Sequence, residues 1–300
     1  MTERPGNEVA KALAKQVSDE ERADIYQYFG PINEEGLKGL QAAMGDPTHA
    51  RAILVLTTQG GDGAAAYQIA RHFHRNYERL TVYIPLSCAS AGTFVALGAH
   101  DLIMDASAIM GPIDPQIRKH DEICTRESAL SSQAALRALG DAAYKIMEDT
   151  AVSLVTRSET AVSFKLASEV GANLATSLVS GLASKLDPTV FGTRQLAIDS
   201  AIEYGNRLIR VSNNASEDTV HHLVTEYPSH DFVIDFAEAS ELFRNVSEPS
   251  ELLRLYAMNL YLPDGIAIVP DEPAERPDQE WGSASDSDRP VEQSEALKAA

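Results

Sequence analysis

Two hydrophobic periods alternate along the first third of the chain. Ala52-Ile53-Leu54-Val55-Leu56-Thr57 is a continuous apolar run of the kind required by a parallel strand buried on both faces. It gives way to Gly63–Tyr77, where Ala66, Ile69, Ala70 and Phe73 share one helical face and Asp62 is placed to cap it. Leu80–Leu86 predicts the next strand, Ala91–Ala99 the next helix and Asp101–Met104 a short strand after it. Upstream, Asn7–Ile25 reads as an exposed amphipathic helix, Ile25–Gly30 as a short strand and Asn33–Gly45 as a helix. Strands alternating with helices at this spacing predict an α/β fold with right-handed crossovers.

The pattern then changes. Ser128–Lys185 is almost wholly helical in spacing, and Arg194–Leu208 adds a helix leading into a strand-like Leu208–Val211. Tyr227–Asp235 predicts a turn and a final strand, with helices at Phe236–Leu242 and Ser250–Met258. Beyond Pro270 the composition shifts to Pro, Asp, Glu and Ser, too polar to bury a core, which predicts a disordered tail. The chain thus divides into an exposed helix at 1–24, one domain at 25–265 and an acidic tail at 266–300.

Composition narrows the function. The 300 residues are 44% hydrophobic, enough for one large core, and carry a formal charge of −19. That balance, without a basic patch, argues against nucleic acid. No apolar run reaches membrane-spanning length, and the N-terminus has no signal-like segment. Cys88 and Cys124 form no CxxC pair, so the expected location is the reducing cytoplasm. His72 and His74 are two apart on a helix and His221-His222 are adjacent. Neither pair suits a metal, and no cofactor motif is present.

Two glycine-bearing turns carry the candidate chemistry. Thr58-Gln59-Gly60-Gly61-Asp62 and Ser87-Cys88-Ala89-Ser90-Ala91-Gly92-Thr93 each follow an apolar run and open an alanine-rich helix. Gly60 and Gly61 can present bare N–H groups to a carbonyl, with the Ala91 N–H as a further oxyanion donor, or can simply make a tight turn. Ser90 can act as a nucleophile at a helix N-terminus or cap that helix.

These two turns, together with Met110-Gly111-Pro112-Ile113-Asp114-Pro115-Gln116 and Tyr227-Pro228-Ser229-His230, resemble the serine dehydrogenase proteinase family. That family is a branch of the Clp protease/crotonase superfamily, related to signal peptide peptidase A and the NfeD-type peptidases. The resemblance runs from about Ile25 to Val246. It implies a fold of repeated ββα units with additional helices, assembly into homo-oligomers, and a serine peptidase working through an acyl-enzyme. Gln59 stands where relatives often carry proline.

For the general base, alignment with the Clp proteolytic subunit places Pro112 where its histidine stands, so a Clp-type triad is not expected. The Ser-Ala-Gly peptidases use a lysine, and Ala143-Tyr144-Lys145-Ile146 matches best, giving a Ser90–Lys145 dyad; Lys119 and His230 are the alternatives. Gly111, Pro112 and Ile113 are expected to form a strand-turn bracing or lining the substrate groove. A peptide or protein is the implied substrate. A non-catalytic adaptor of the same fold, binding a protein partner, is the alternative, and a crotonase-like acyl-CoA enzyme ranks last because no CoA-binding loop is found.

Overall fold

The computed structural model describes residues 6–118, 126–159 and 161–261. In chain order, α1 (Gly6–Glu21) leads into β1 (Ala23–Phe29), α2 (Glu34–Ala43), β2 (Arg51–Thr57), α3 (Gly63–Asn76) and β3 (Arg79–Ile84). The two-residue β4 (Ser87–Cys88) precedes α4 (Ala91–Leu97), β5 (Asp101–Met104), β6 (Ile109–Met110), β7 (Gln116–Arg118) and β8 (Arg126–Ser128). Then come α5 (Ser131–Arg157), α6 (Phe164–Ala183), α7 (Pro188–Ser212), α8 (Glu217–Thr225), α9 (Phe236–Leu242), β9 (Val246–Ser247) and α10 (Glu251–Tyr261).

Among the described residues, β1-β2-β3-β5-β9 form a parallel sheet in that order. Its central strands β2, β3 and β5 are buried on both faces, as the continuous apolar runs require. Leu54, Leu56, Val82, Ile84, Leu102 and Met104 point into one core, beneath α2, α3, α4 and α7. Their neighbours Ile53, Val55, Tyr83 and Ile103 point into a second core with Leu13 and Val17 of α1 and Leu253, Tyr256 and Ala257 of α10. The helix expected to be exposed at the N-terminus therefore buries one face on the sheet.

Local chemistry sets the helix starts. Asn33 accepts from the Gly36 N–H to open α2, and Asp62 accepts from Ala64 and Ala65 to open α3. Asp187 caps α7 with Pro188 behind it, and Asn213 closes the same helix in the left-handed conformation at φ 51°. Leu208–Val211 is thus the last turn of α7, not a strand. Its short apolar run fits either period, and helix propagation from Pro188 decides. Phe232–Asp235 is likewise no strand; only Ile234 bridges Met110, through two backbone hydrogen bonds of 2.8 Å. The strand at the sheet edge is β9.

The long helical stretch separates into α5 and α6, packed along a seam of small residues, Ala167, Gly171 and Ala175. A Cβ on Gly171 would stand 2.5 Å from the Met147 carbonyl oxygen, so glycine sets how closely the two helices approach. No helix among the described residues is long and apolar enough to cross a membrane. The expected tail at 266–300 lies outside the described residues.

Candidate active site

The site forms where the loops leaving the carboxyl ends of β1, β2 and β3 converge, the usual place for a site in an open parallel sheet. Thr58 accepts the Ala89 N–H at its carbonyl and donates its own N–H to Ser87, stitching the two glycine-bearing turns together. Gly60 sits at φ +99° and Gly61 at φ +147°, conformations that side chains rarely adopt. A Cβ on Gly60 would lie 2.7 Å from the Ser90 Cβ and 2.9 Å from the Ala89 carbonyl oxygen. On Gly61 it would collide with the Ile32 backbone.

Ser90 opens α4, yet its hydroxyl makes no capping bond. Its backbone is held at φ 52°, ψ −113°, outside the regions a serine prefers. Such strain costs about 1–3 kcal/mol and persists only where the surroundings enforce it. Here Thr93, fully buried, donates to the Gly111 carbonyl at 2.6 Å and ties α4 to the following segment. Gly92 packs beneath, with Thr58 and Cys88 leaving no room for a side chain. Ser90 lines a cavity of about 800 Å³.

Gly60, Gly61, Ser90, Ala91, Ile113, Asp114 and His230 all line that cavity. The Gly60 N–H is already used, donating to the Thr58 hydroxyl at 2.9 Å. The Gly61 and Ala91 N–H groups have no partner among the described residues. They, rather than Gly60, are the donors free to face an oxyanion.

Asp114, which no pattern in the sequence singles out, is 6% exposed and accepts from the Ser128 hydroxyl at 2.6 Å and the Gln116 amide at 3.1 Å. His230 Nδ1 stands 3.7 Å from Asp114 Oδ2 and is buried without a hydrogen bond. Burial pushes the Asp114 carboxyl up, while the Ser128 hydroxyl, His230 and the Gln116 amide pull it back down; the net shift is upward. An aspartate between Pro112 and Pro115, directly after a buried apolar run, was the available signal.

Lys145 is not brought to this place. It stands exposed on α5 and is absent from the cavity lining. Lys119 lies outside the described residues. Of the expected groove residues, Ile113 lines the main cavity, Gly111 lines a smaller neighbouring one, and Pro112 is buried beside them. Instead of a strand-turn, the segment from Gly111 to Pro115 is irregular and enters β7 at Gln116. No cluster able to hold a metal occurs among the described residues.

Two uncharacterised proteins of Methanocaldococcus jannaschii are similar, at 35% identity over 96 residues and 36% over 88 residues. These matches cover 32% and 29% of this chain, which spans about a third of the length of those curated relatives. Among solved structures, a mutant membrane-bound stomatin-specific protease aligns with a TM-score of 0.42 and 14% identity, over 77% of this chain and 81% of that one. A second mutant of that protease, in complex with a substrate peptide, gives 0.44 and 16%, over 76% of each chain. A membrane protease specific for a stomatin homolog from Pyrococcus horikoshii gives 0.26 and 28%, over 29% of this chain and 47% of that one. The family described as ClpP-like SDH-type serine proteinase matches residues 23–185, just over half of this chain, including both glycine-bearing turns and the Asp114 segment. The chain belongs to that family of serine proteinases.

Proposed function

We propose that this chain hydrolyses peptide bonds through an acyl-enzyme formed on Ser90. The observation that carries the reading is the Ser90 hydroxyl, which is unused as a cap although it sits at a strained helix N-terminus. It opens into the cavity that also holds His230, Asp114 and the unpaired N–H groups of Gly61 and Ala91.

In this reading His230 is the general base, and Asp114 is the group that orients it. Asp114, fixed by Ser128 and Gln116, faces His230 Nδ1, which leaves Nε2 to take the Ser90 proton. The 3.7 Å separation is longer than a hydrogen bond, and such contacts shorten when substrate closes the site. Ser90 Oγ adds to the scissile carbonyl as its proton passes to His230. The oxyanion is held by the Gly61 and Ala91 N–H groups and the positive end of α4. Collapse returns the proton to the leaving amine, and water repeats the sequence to free the acid. The exposed position of Lys145 favours His230 over a Ser90–Lys145 dyad.

The test is hydrolysis of fluorescently labelled casein by the purified chain. Ser90→Ala is expected to lose about 10³-fold or more of the rate while melting like the wild type. An undiminished rate in Ser90→Ala would overturn the reading.

A further inference from the structure

Helix α3 departs from the charge of the rest of the chain. The protein has 44 acidic against 25 basic residues, yet Gly63–Asn76 contains no acid and carries Arg71, His72, His74 and Arg75. One face of the helix, with Ala65, Ala66, Ile69, Ala70 and Phe73, is buried in the core. Tyr67, Gln68, Arg71 and Arg75 follow one another at helical spacing and share a second face. With Gln41 of α2, those four side chains line a cavity of about 190 Å³ that shares no residue with the candidate active site.

The two arginines there stand apart from others in the protein. Arg79, Arg207 and Arg254 each hold a carboxylate, at 2.5, 2.8 and 2.9 Å. Among the described residues, Arg71 and Arg75 have no such partner and no hydrogen bond, and neither glutamine side chain is bonded. Guanidiniums one helical turn apart repel each other, so the pair lacks the counter-charge that would stabilise it. The Tyr67 hydroxyl accepts from Arg207, which leaves its own O–H to donate. Guanidinium, carboxamide and phenol donors therefore converge on one small space that carries two positive charges. A carboxylate would offset one of those charges. A phosphoryl dianion offsets both, and its oxygens match the forked N–H groups of two arginines.

We propose that this cavity binds a doubly charged phosphoryl group, as inorganic phosphate or as a phosphomonoester. Arg71 and Arg75 hold it from α3, and Gln68 and Gln41 donate to its remaining oxygens. The assignment is independent of the peptidase reading. Tyr67 links the site to the cleft, because its ring stacks on Tyr204 at 4.9 Å and Tyr204 lines the larger cavity.

The test is calorimetric titration of the full chain with inorganic phosphate at about pH 8, where the dianion prevails, beside acetate at matched ionic strength. Phosphate should bind at a single site with a Kd below about 1 mM, and acetate at least about tenfold more weakly. Arg71→Gln and Arg75→Gln should each weaken phosphate about tenfold. Arg71→Lys should weaken it as well, because an ammonium keeps the charge and loses the fork. Lys38→Gln, which removes an exposed cation of α2 paired with Glu34, should leave it unchanged. Melting without phosphate checks that each variant is folded, and Arg75, the more exposed arginine, serves should Arg71→Gln unfold. Adenosine monophosphate and phosphoserine then identify the source. Tighter binding of either supports a phosphomonoester, and weaker binding of both supports inorganic phosphate. Acetate binding as tightly as phosphate, phosphate binding that survives the double Arg71→Gln, Arg75→Gln change, or no binding up to about 10 mM would overturn the site.

Discussion

Asp114→Asn separates catalysis from stability, because activity should collapse while stability barely changes. Asparagine keeps the size of the side chain and can still accept from the Ser128 hydroxyl. Its amide hydrogens, however, would meet the Gln116 amide and the His230 Nδ1 side, where Asp114 Oδ2 now stands 3.1 Å and 3.7 Å away. His230 then accepts at Nδ1 and carries its proton on Nε2, the wrong tautomer for a base. The expected loss in casein hydrolysis is about 10³–10⁴-fold, or about 4–5.5 kcal/mol of transition-state stabilisation. Stability should barely fall. The charge-assisted bond from Ser128 weakens, but a carboxylate disfavoured by burial is removed, leaving a net change of about 1 kcal/mol or less and a shift in Tm of about 3 °C or less. The sign with pH follows from the raised carboxyl. Folding favours the protonated acid, so the wild type loses this contribution as pH rises from the unfolded carboxylate range, about 4, through the folded value. The variant has no such loss, and its Tm relative to wild type should rise between about pH 4 and pH 7. Casein hydrolysis and a melting series across pH check both halves. Activity within tenfold of wild type in a folded variant would refute Asp114 as the orienting group.

Two further outcomes follow from the geometry. Gly60→Ala places a Cβ 2.7 Å from the Ser90 Cβ at φ +99°, and should cost about 2–4 kcal/mol in calorimetry with loss of hydrolysis; a wild-type Tm would contradict it. Asp24 is 12% exposed; burial pushes its carboxyl up, but hydrogen bonds from Thr48, His49 and Tyr77 outweigh this and hold it at about 2. Because that value lies below the unfolded one, the contribution is present above about pH 4 and lost as pH falls through about 2. Asp24→Asn should therefore cost about 1–2 kcal/mol in urea unfolding at pH 7, allowing for solvent screening, with the difference vanishing near pH 2; a difference constant with pH would contradict it.

The central strands β2, β3 and β5 were readable because they are buried on both faces, so their apolar runs have no competing pattern; the two-residue edge strand β9 has no such run. The two glycine-bearing turns were readable for a related reason: few residues other than glycine fit φ +99° and +147° beside another backbone. What Ser90 does there was not readable. A capping serine and a nucleophilic serine occupy the same position in a sequence, and the absence of a capping bond from the hydroxyl is visible only in the fold. Asp114 was hidden because an aspartate between two prolines reads as loop, and its burial comes from β8 and the His230 segment folding over it. His230 is separated from Ser90 by helices α5–α7, whose path no local pattern encodes. Lys145 stands exposed on α5 and outside the cavity lining. Its helix was correctly anticipated, but a helix period does not say what the helix faces. Leu208–Val211 and Phe232–Asp235 are short apolar runs, where strand and non-strand patterns overlap.

The most direct test of the central claim is the rate at which a fluorophosphonate probe labels Ser90 in the wild type and in His230→Ala, Lys145→Ala and Ser90→Ala. With His230 as the base, Ser90→Ala should not label, His230→Ala should label about 10³-fold more slowly, and Lys145→Ala should label at the wild-type rate. Labelling that survives His230→Ala and vanishes in Lys145→Ala would contradict it and return the base to the lysine.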